Sequence, residues 1–284
     1  MKVKIISAIL VLALVPLASM ACGFTVDLPK RSLPGAEVKE SITVAVPKSE
    51  ETRLTVSFGA GTLKLSPGAG ESLVDGMAVY NFKELKPKIV KENGSVEIKQ
   101  GNFKNLINPK DIVNEWDLRL GEAPIDLTIN AGAYNGTFEL GGLALTNLTV
   151  KDGAANVDLS FSEPNQTEMS ILRYETGASD VELAGLANAN FSTLIFSGGA
   201  GNYTLDFSGE LVRDGIVNLE AGAGDVQLII PKDVDARVTV ESTLVSVNHS
   251  SGWARNGKDY FQEGSGPKLK IIVKMAAGNL TITD

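Results

Sequence analysis

Cysteine and histidine are almost absent from this chain, with one of each in 284 residues. That excludes an intrachain disulfide and a structural zinc site built from several cysteines and histidines. Aromatic residues are also few, at 6%. Basic residues are outnumbered: 26 Lys and Arg stand against 34 Asp and Glu, for a net charge of −8. The basic side chains form no long cluster, so nucleic acid is not an expected partner. No segment reaches the ~18 consecutive apolar residues of a membrane-spanning helix. What is present is a 43% hydrophobic fraction, enough for a sizeable core and too much for a disordered chain. Glycine is abundant, 29 residues or about 10% against a usual ~7%. The length allows one or two domains.

The N-terminus reads as an address. Lys2 and Lys4 precede a 13-residue apolar run over residues 5–17, followed by Ala18-Ser19-Met20-Ala21 and then Cys22. A charged start, a short apolar stretch and small residues before a cleavage point make a secretory signal, too short to span a bilayer comfortably. Cleavage after residue 21 of 284 leaves 263 residues and makes the only cysteine the first of the mature chain. This junction resembles that of bacterial lipoproteins, whose first mature cysteine carries lipid, with Ser19 where those proteins usually have leucine. The resemblance implies lipid attachment at Cys22, where two or more acyl chains anchor stably at ~0.8 kcal/mol per buried CH₂. Loss of Lys2 and Lys4 takes the net charge from −8 to −10. That acidity disfavours adsorption to anionic lipid, so the expected tether is covalent, on the extracytoplasmic face of a bacterial envelope.

Self-similarity is the strongest signal. The unit is apolar-x-apolar, two residues, a Gly-Ala corner, one residue, a turn residue, then apolar-x-apolar. It reads Leu148-Thr-Val-Lys-Asp-Gly-Ala-Ala-Asn-Val-Asp-Leu159, and again Leu172-Arg-Tyr-Glu-Thr-Gly-Ala-Ser-Asp-Val-Glu-Leu183. Further copies begin at Leu54, Leu194, Val217 and Ile271; a copy from Leu127 reads as carrying two extra residues near Tyr134-Asn135, and residues 238–247 read as a degenerate one. The starts recur about every 22 residues. Each unit predicts two short strands joined where glycine can take positive φ. Alternation puts Leu148, Val150, Val157 and Leu159 on one face, which a single unit cannot bury alone. Stacked ~4.8 Å apart, such units share a continuous core. The expected fold is all-β, a right-handed β-helix or solenoid-like stack with an N-terminal β-subdomain. A β-sandwich is the alternative, since hairpin signals such as Asn93-Gly94 also occur.

The expected organisation is a signal peptide at 1–21, a lipidated tether at 22–40, an N-terminal β-subdomain at 41–100, a connector at 101–114 and the β-repeat domain at 115–284. An insertion at 248–266 reads as a loop or hairpin before the last coil. On the Cys22 junction, the Gly-Ala-x-Asn/Asp corners and their recurrence, the chain resembles the bacterial toast-rack lipoproteins and related adhesin-type cell-envelope β-repeat proteins. The resemblance implies a secreted, surface-exposed, non-enzymatic protein that meets an envelope protein or glycan. It carries over no catalytic residue.

Stacking turns equivalent positions into columns. One predicted column is Asn156, Asp180, Asn202, Asp225 and Asn279, residues that suit coil corners because they bond to nearby backbone. A second, outward column reads Glu139, Asp158, Glu182, Thr204 and Gln227. Carboxylates on successive coils could recruit a cation or mimic the pair of a retaining glycosidase, but a solvated face explains them better. Eight Asn-x-Ser/Thr sequences, among them Asn165-Gln-Thr, read as turn asparagine followed by strand threonine. His249 lacks a metal-binding or triad partner and reads as a loop residue. Trp253 and Tyr260 are the candidates for surface contact with a glycan or partner. No catalytic residue, metal or cofactor is expected. Two other functions stay open: an envelope-sensing or regulatory lipoprotein, and, less favoured, a β-helix polysaccharide-degrading enzyme acting through Asp158 and Glu182.

Overall fold

Alternation of buried and exposed positions runs through nearly every strand of the computed structural model, which describes residues 34–49, 51–101 and 112–284. The signal, Cys22 and most of the connector lie outside the described residues. Seventeen strands follow in order. The first six are β1 (Val38–Ala45), β2 (Thr52–Pro67), β3 (Ser72–Tyr80), β4 (Lys88–Glu92), β5 (Ser95–Lys99) and β6 (Asn114–Leu120). The central coils are β7 (Ile125–Glu139), β8 (Leu145–Lys151), β9 (Ala154–Ser160), β10 (Met169–Ala184), β11 (Phe191–Asp206) and β12 (Gly215–Ile229). The last five are β13 (Asp235–Val240), β14 (Val245–His249), β15 (Ala254–Asn256), β16 (Asp259–Gln262) and β17 (Lys268–Thr283). β1 begins inside the segment expected to be tether.

The predicted copies are rungs of one parallel stack. Leu127 pairs with Leu148, Leu148 with Leu172, Leu172 with Leu194 and Leu194 with Val217. Beyond the corner, Val157, Val181, Tyr203 and Val226 align in the same way. All of these side chains are buried. Each such Leu or Val contributes roughly 1.5–3 kcal/mol by leaving water. The corner does not interrupt pairing, so most coils are one long bent strand rather than two short ones. Parallel register from coil to coil gives an all-β solenoid-like stack, not a β-sandwich.

Three details differ from the sequence expectation. First, the stack is not in chain order at its ends. β17 lies between β12 and the β13–β14 coil, with Val217 paired to Ile271 and Ile271 to Val238. At the other end β2 lies between β7 and the strands β5 and β6. Second, the Leu127 copy carries no extra residues, because Leu127 pairs with Leu148 and Phe138 with Leu159. Gly136 stands where an apolar side chain was expected, and a Cβ there would meet the rings of Tyr134 and Phe138. Tyr134 turns inward and fills that space. Third, Gly177, Gly199 and Gly222 at the Gly-Ala corners owe their identity to close approach. A Cβ on each would lie against the carbonyl oxygen of the corner glycine one rung back, Gly153, Gly177 and Gly199 respectively. Positive φ falls two residues later instead, at Gly224 (139°) and Gly278 (130°).

Antiparallel strands extend the stack at both ends. β1, β3 and β6 form the extension at one end, and β4 pairs with β5 through a turn with Asn93 at φ 39° and Gly94 at φ 82°. At the other end the expected insertion is a β15–β16 hairpin that pairs antiparallel onto β13.

Candidate functional site

One row of outward side chains crosses the rungs before the corner: Lys88 opposite Lys99, then Ser57, Asn130, Lys151 and Glu175. Two short neutral side chains thus lie between long lysines on either bank. Neighbouring strands are ~4.8 Å apart, which puts Lys99 and Lys151 about 14 Å apart along the stack. Beside this row the corner supplies Gly59, Ala131 and Gly153, and the chain leaving β5 supplies Gln100 and Gly101. Together they line a shallow, open groove of about 800 Å³. One side is braced by a side chain: Gln100 Oε1 accepts from the Gly59 amide at 2.8 Å and from Asn114 Nδ2 at 2.8 Å.

The charges around the groove are partly satisfied within the protein. Lys99 pairs with Glu97 at 2.9 Å and Lys151 with Glu175 at 3.0 Å. Lys99, with help from the Ser57 hydroxyl, holds the Glu97 carboxyl below its ordinary value against the opposing effect of burial. Lys151 does the same for Glu175. Lys88 has no ion-pair partner among the described residues.

Asp152 forms one wall and is tied inward. Its Oδ2 accepts from Tyr174 at 2.8 Å and Tyr134 at 3.3 Å, and its other oxygen accepts from Thr176. Burial first, then neighbouring Asp152 and Tyr134, push the Tyr174 hydroxyl far up; burial and then Asp152 do so for Tyr134. Both tyrosines therefore stay neutral donors. With its lone pairs taken, Asp152 clamps three coils together rather than offering a free carboxylate. Sequence reading missed this groove and clamp. The available signal was a lysine at the same unit position on separated coils, visible only once the register was known.

The predicted residues fare unevenly. The Asn/Asp column forms as expected, with Asn202 Nδ2 donating to Asp180 at 2.7 Å and Asn279 Nδ2 to Asp225 at 2.7 Å. Asp158 and Glu182 are adjacent and exposed. Glu139 is not in their column: Thr137 pairs with Asp158, and Glu139 sits beside Ser160. Once the Leu127 copy is seen to lack extra residues, this shift of two follows. Glu139 instead accepts from the Gly141 amide at 2.7 Å, the Ser162 amide at 3.1 Å and the Ser160 hydroxyl at 2.7 Å. Among the described residues no group of three or more His, Cys, Asp and Glu could hold a metal ion. Asn165 is buried and bonds to the backbone of Leu145, which removes it as a glycan acceptor.

Trp253 and Tyr260 do not present their rings to solvent. They are 5% and 2% exposed; Tyr260 lies on β16 itself, opposite Val238 of β13. His249 is exposed, with its ring 5.4 Å from that of Tyr260. Cys22 lies outside the described residues. No described helix is long and apolar enough to cross a membrane.

Residues 33–172 match the family model of the N-terminal domain of toast_rack, DUF2154. Those 140 of the 284 residues carry a toast-rack N-terminal domain. No curated protein matches it. Among solved structures, a "putative cell adhesion protein" from Clostridium sporogenes is 22% identical, with a TM-score of 0.50, over 87% of this chain and 99% of its own. That likeness supports the fold. A "putative adhesin" from Bacteroides fragilis, at 10% identity and TM-score 0.35, and a "putative lipid binding protein" from Parabacteroides distasonis, at 9% and 0.36, each align over 87% of this chain and 97% of their own. Every residue lining the lysine groove lies inside the matched toast-rack segment, whereas Trp253 and Tyr260 lie outside it.

Proposed function

We propose that this protein is a membrane-anchored extracytoplasmic lipoprotein, serving at the cell surface as a non-catalytic, adhesin-like binding scaffold. The observation that carries the reading is an open 800 Å³ groove built on a fully packed β-stack. Rigid rungs hold recognition groups in place at little ordering cost, which favours binding. The described residues that could have suggested catalysis have other employment: Asp152 is saturated by donors, Glu139 caps backbone amides, and Asp158 and Glu182 stand in solvent. The adhesion named for the Clostridium sporogenes structure, which shares the fold, is the role this reading extends to the chain. In the same reading residues 1–21 are removed and the segment from Cys22 leads to β1, followed by the N-terminal β-subdomain (41–100), connector and repeat domain.

Two measurements test it. Cys22→Ala should move the protein from the membrane to the soluble fraction; unchanged partitioning into detergent would end the anchoring claim. An array of glycans and envelope proteins probed with the full chain should give a saturable ligand, and a blank array together with turnover on a polysaccharide panel would reverse the non-catalytic reading.

A further inference from the structure

We infer that the groove between Lys88, Lys99 and Lys151 binds an acidic polysaccharide, its carboxylate or phosphodiester groups held by the three ammonium groups. The inference deepens the binding-scaffold reading and rests on it. Residues 115–230 hold seventeen acidic residues and only four basic ones. Lys151 is one of those four, whereas Lys88 and Lys99 come from residues 41–100, where eight basic residues stand against seven acidic ones; the groove lies where the acidic coils meet this more basic segment. Lys88 and Lys99 are direct cross-strand partners on one face. Like charges so placed destabilise a strand pair. Glu97 offsets the charge of Lys99, and nothing described offsets Lys88. An anion between the banks would relieve that repulsion.

The lining selects the class of anion. Between the lysines lie Asn130, the Gln100 amide and the backbone beside Gly59, Gly101 and Gly153, all suited to hydroxyl groups. Phe58 is 3% exposed and offers no ring for a sugar to stack on, so charge rather than aromatic stacking must supply affinity. A flat anionic bilayer would reach the lysine tips but not Ser57 and Asn130 at the floor, and it would be repelled by the acidic coils. A single charged polymer chain fits both the concavity and the charge.

The test titrates the full chain in detergent with polygalacturonate and with polyglycerol phosphate. Neutral dextran and phosphatidylglycerol vesicles serve as controls. The expected result is binding to one or both polymers that weakens as salt rises, with the combined Lys88→Gln, Lys99→Gln, Lys151→Gln variant at least tenfold weaker. Lys258→Gln, at the opposite end beside Glu241, should bind like the wild type. Equal affinity for the triple variant, equal binding to dextran, or binding to vesicles but not polymer would overturn the proposal. A second measurement needs no ligand: Lys88→Gln should raise Tm at low salt, and the gain should vanish in 1 M NaCl. A lowered Tm at low salt would contradict the repulsion argument. Array ligands whose binding ignores all three lysines would sink the groove and spare the scaffold.

Discussion

At the scale of single residues, the corner glycines are fixed by a neighbour in space rather than by their own φ. A methyl on Gly199 would press on the carbonyl oxygen of Gly177, and backbone cannot swing aside as a flexible side chain can. Gly199→Ala should cost about 2–3 kcal/mol, the upper range for overpacking. Gly252→Ala, where a Cβ meets nothing within 4 Å, should be near neutral; equal losses in denaturant melts would refute the close-approach account. Glu139 makes a second case. Burial works to raise its carboxyl, but the Ser160 hydroxyl and the Gly141 and Ser162 amides outweigh it and hold the group below its ordinary value. A depressed carboxyl contributes stability above its unfolded pKa of about 4.3 and loses it as pH falls through the folded value. Glu139→Gln should therefore cost about 1–2 kcal/mol at pH 7, with the gap to wild type closing as pH drops below about 4. A gap that stays constant from pH 7 to pH 3 would show that the charge does not matter.

Elements show where the sequence was readable and where it was not. Period-2 alternation and the Gly-Ala corner specify which residues face inward, so Leu148, Val157, Leu172 and Val181 all lie where the pattern put them. The Asn/Asp column was equally legible because identical positions stack. Its alternation, Asn156, Asp180, Asn202, Asp225, Asn279, leaves the carboxylates of Asp180 and Asp225 two rungs, roughly 10 Å, apart. Rung order was not legible at the ends. The unit at Ile271 buries the same face wherever it is inserted, so nothing local distinguishes the outermost place from the one between β12 and β13. Gly136 misled for the opposite reason, since a ring from Tyr134 does the work of the missing apolar residue. The position of β17 makes a prediction. Removing residues 268–284 should expose β12 and strip β13 and β14 of their parallel partner, together with the burial of Leu269, Ile271, Val273, Leu280 and Ile282, each roughly 1.5–3 kcal/mol. Hydrogen exchange should then show β14 amides unprotected, since β17 is the one partner of β14 among the described residues, while β13 keeps its pairing with β16; a protected β14 would mean that β17 does not hold this coil in place.

For the whole molecule, the threading of the ends decides how it unfolds. A simple solenoid contacts only sequence neighbours, so its end repeats can fray independently. Here β2 is held between β7 and the later strands β5 and β6, and β17 between β12 and the earlier β13 and β14. Neither terminal coil can peel away without opening a pair formed by a segment distant in sequence, so fraying should be suppressed and unfolding cooperative. Two buried tryptophans sit where this can be read: Trp116 on β6 at one end and Trp253 beside the β15–β16 hairpin at the other. Trp253→Phe leaves Trp116 as the sole indole reporter, and Trp116→Phe leaves Trp253. Fluorescence transitions in denaturant should coincide with each other and with the loss of far-UV signal within each variant, as two-state behaviour requires. If instead the Trp253 signal moves well before the far-UV signal, the hairpin end melts on its own and the inserted coil does not lock it.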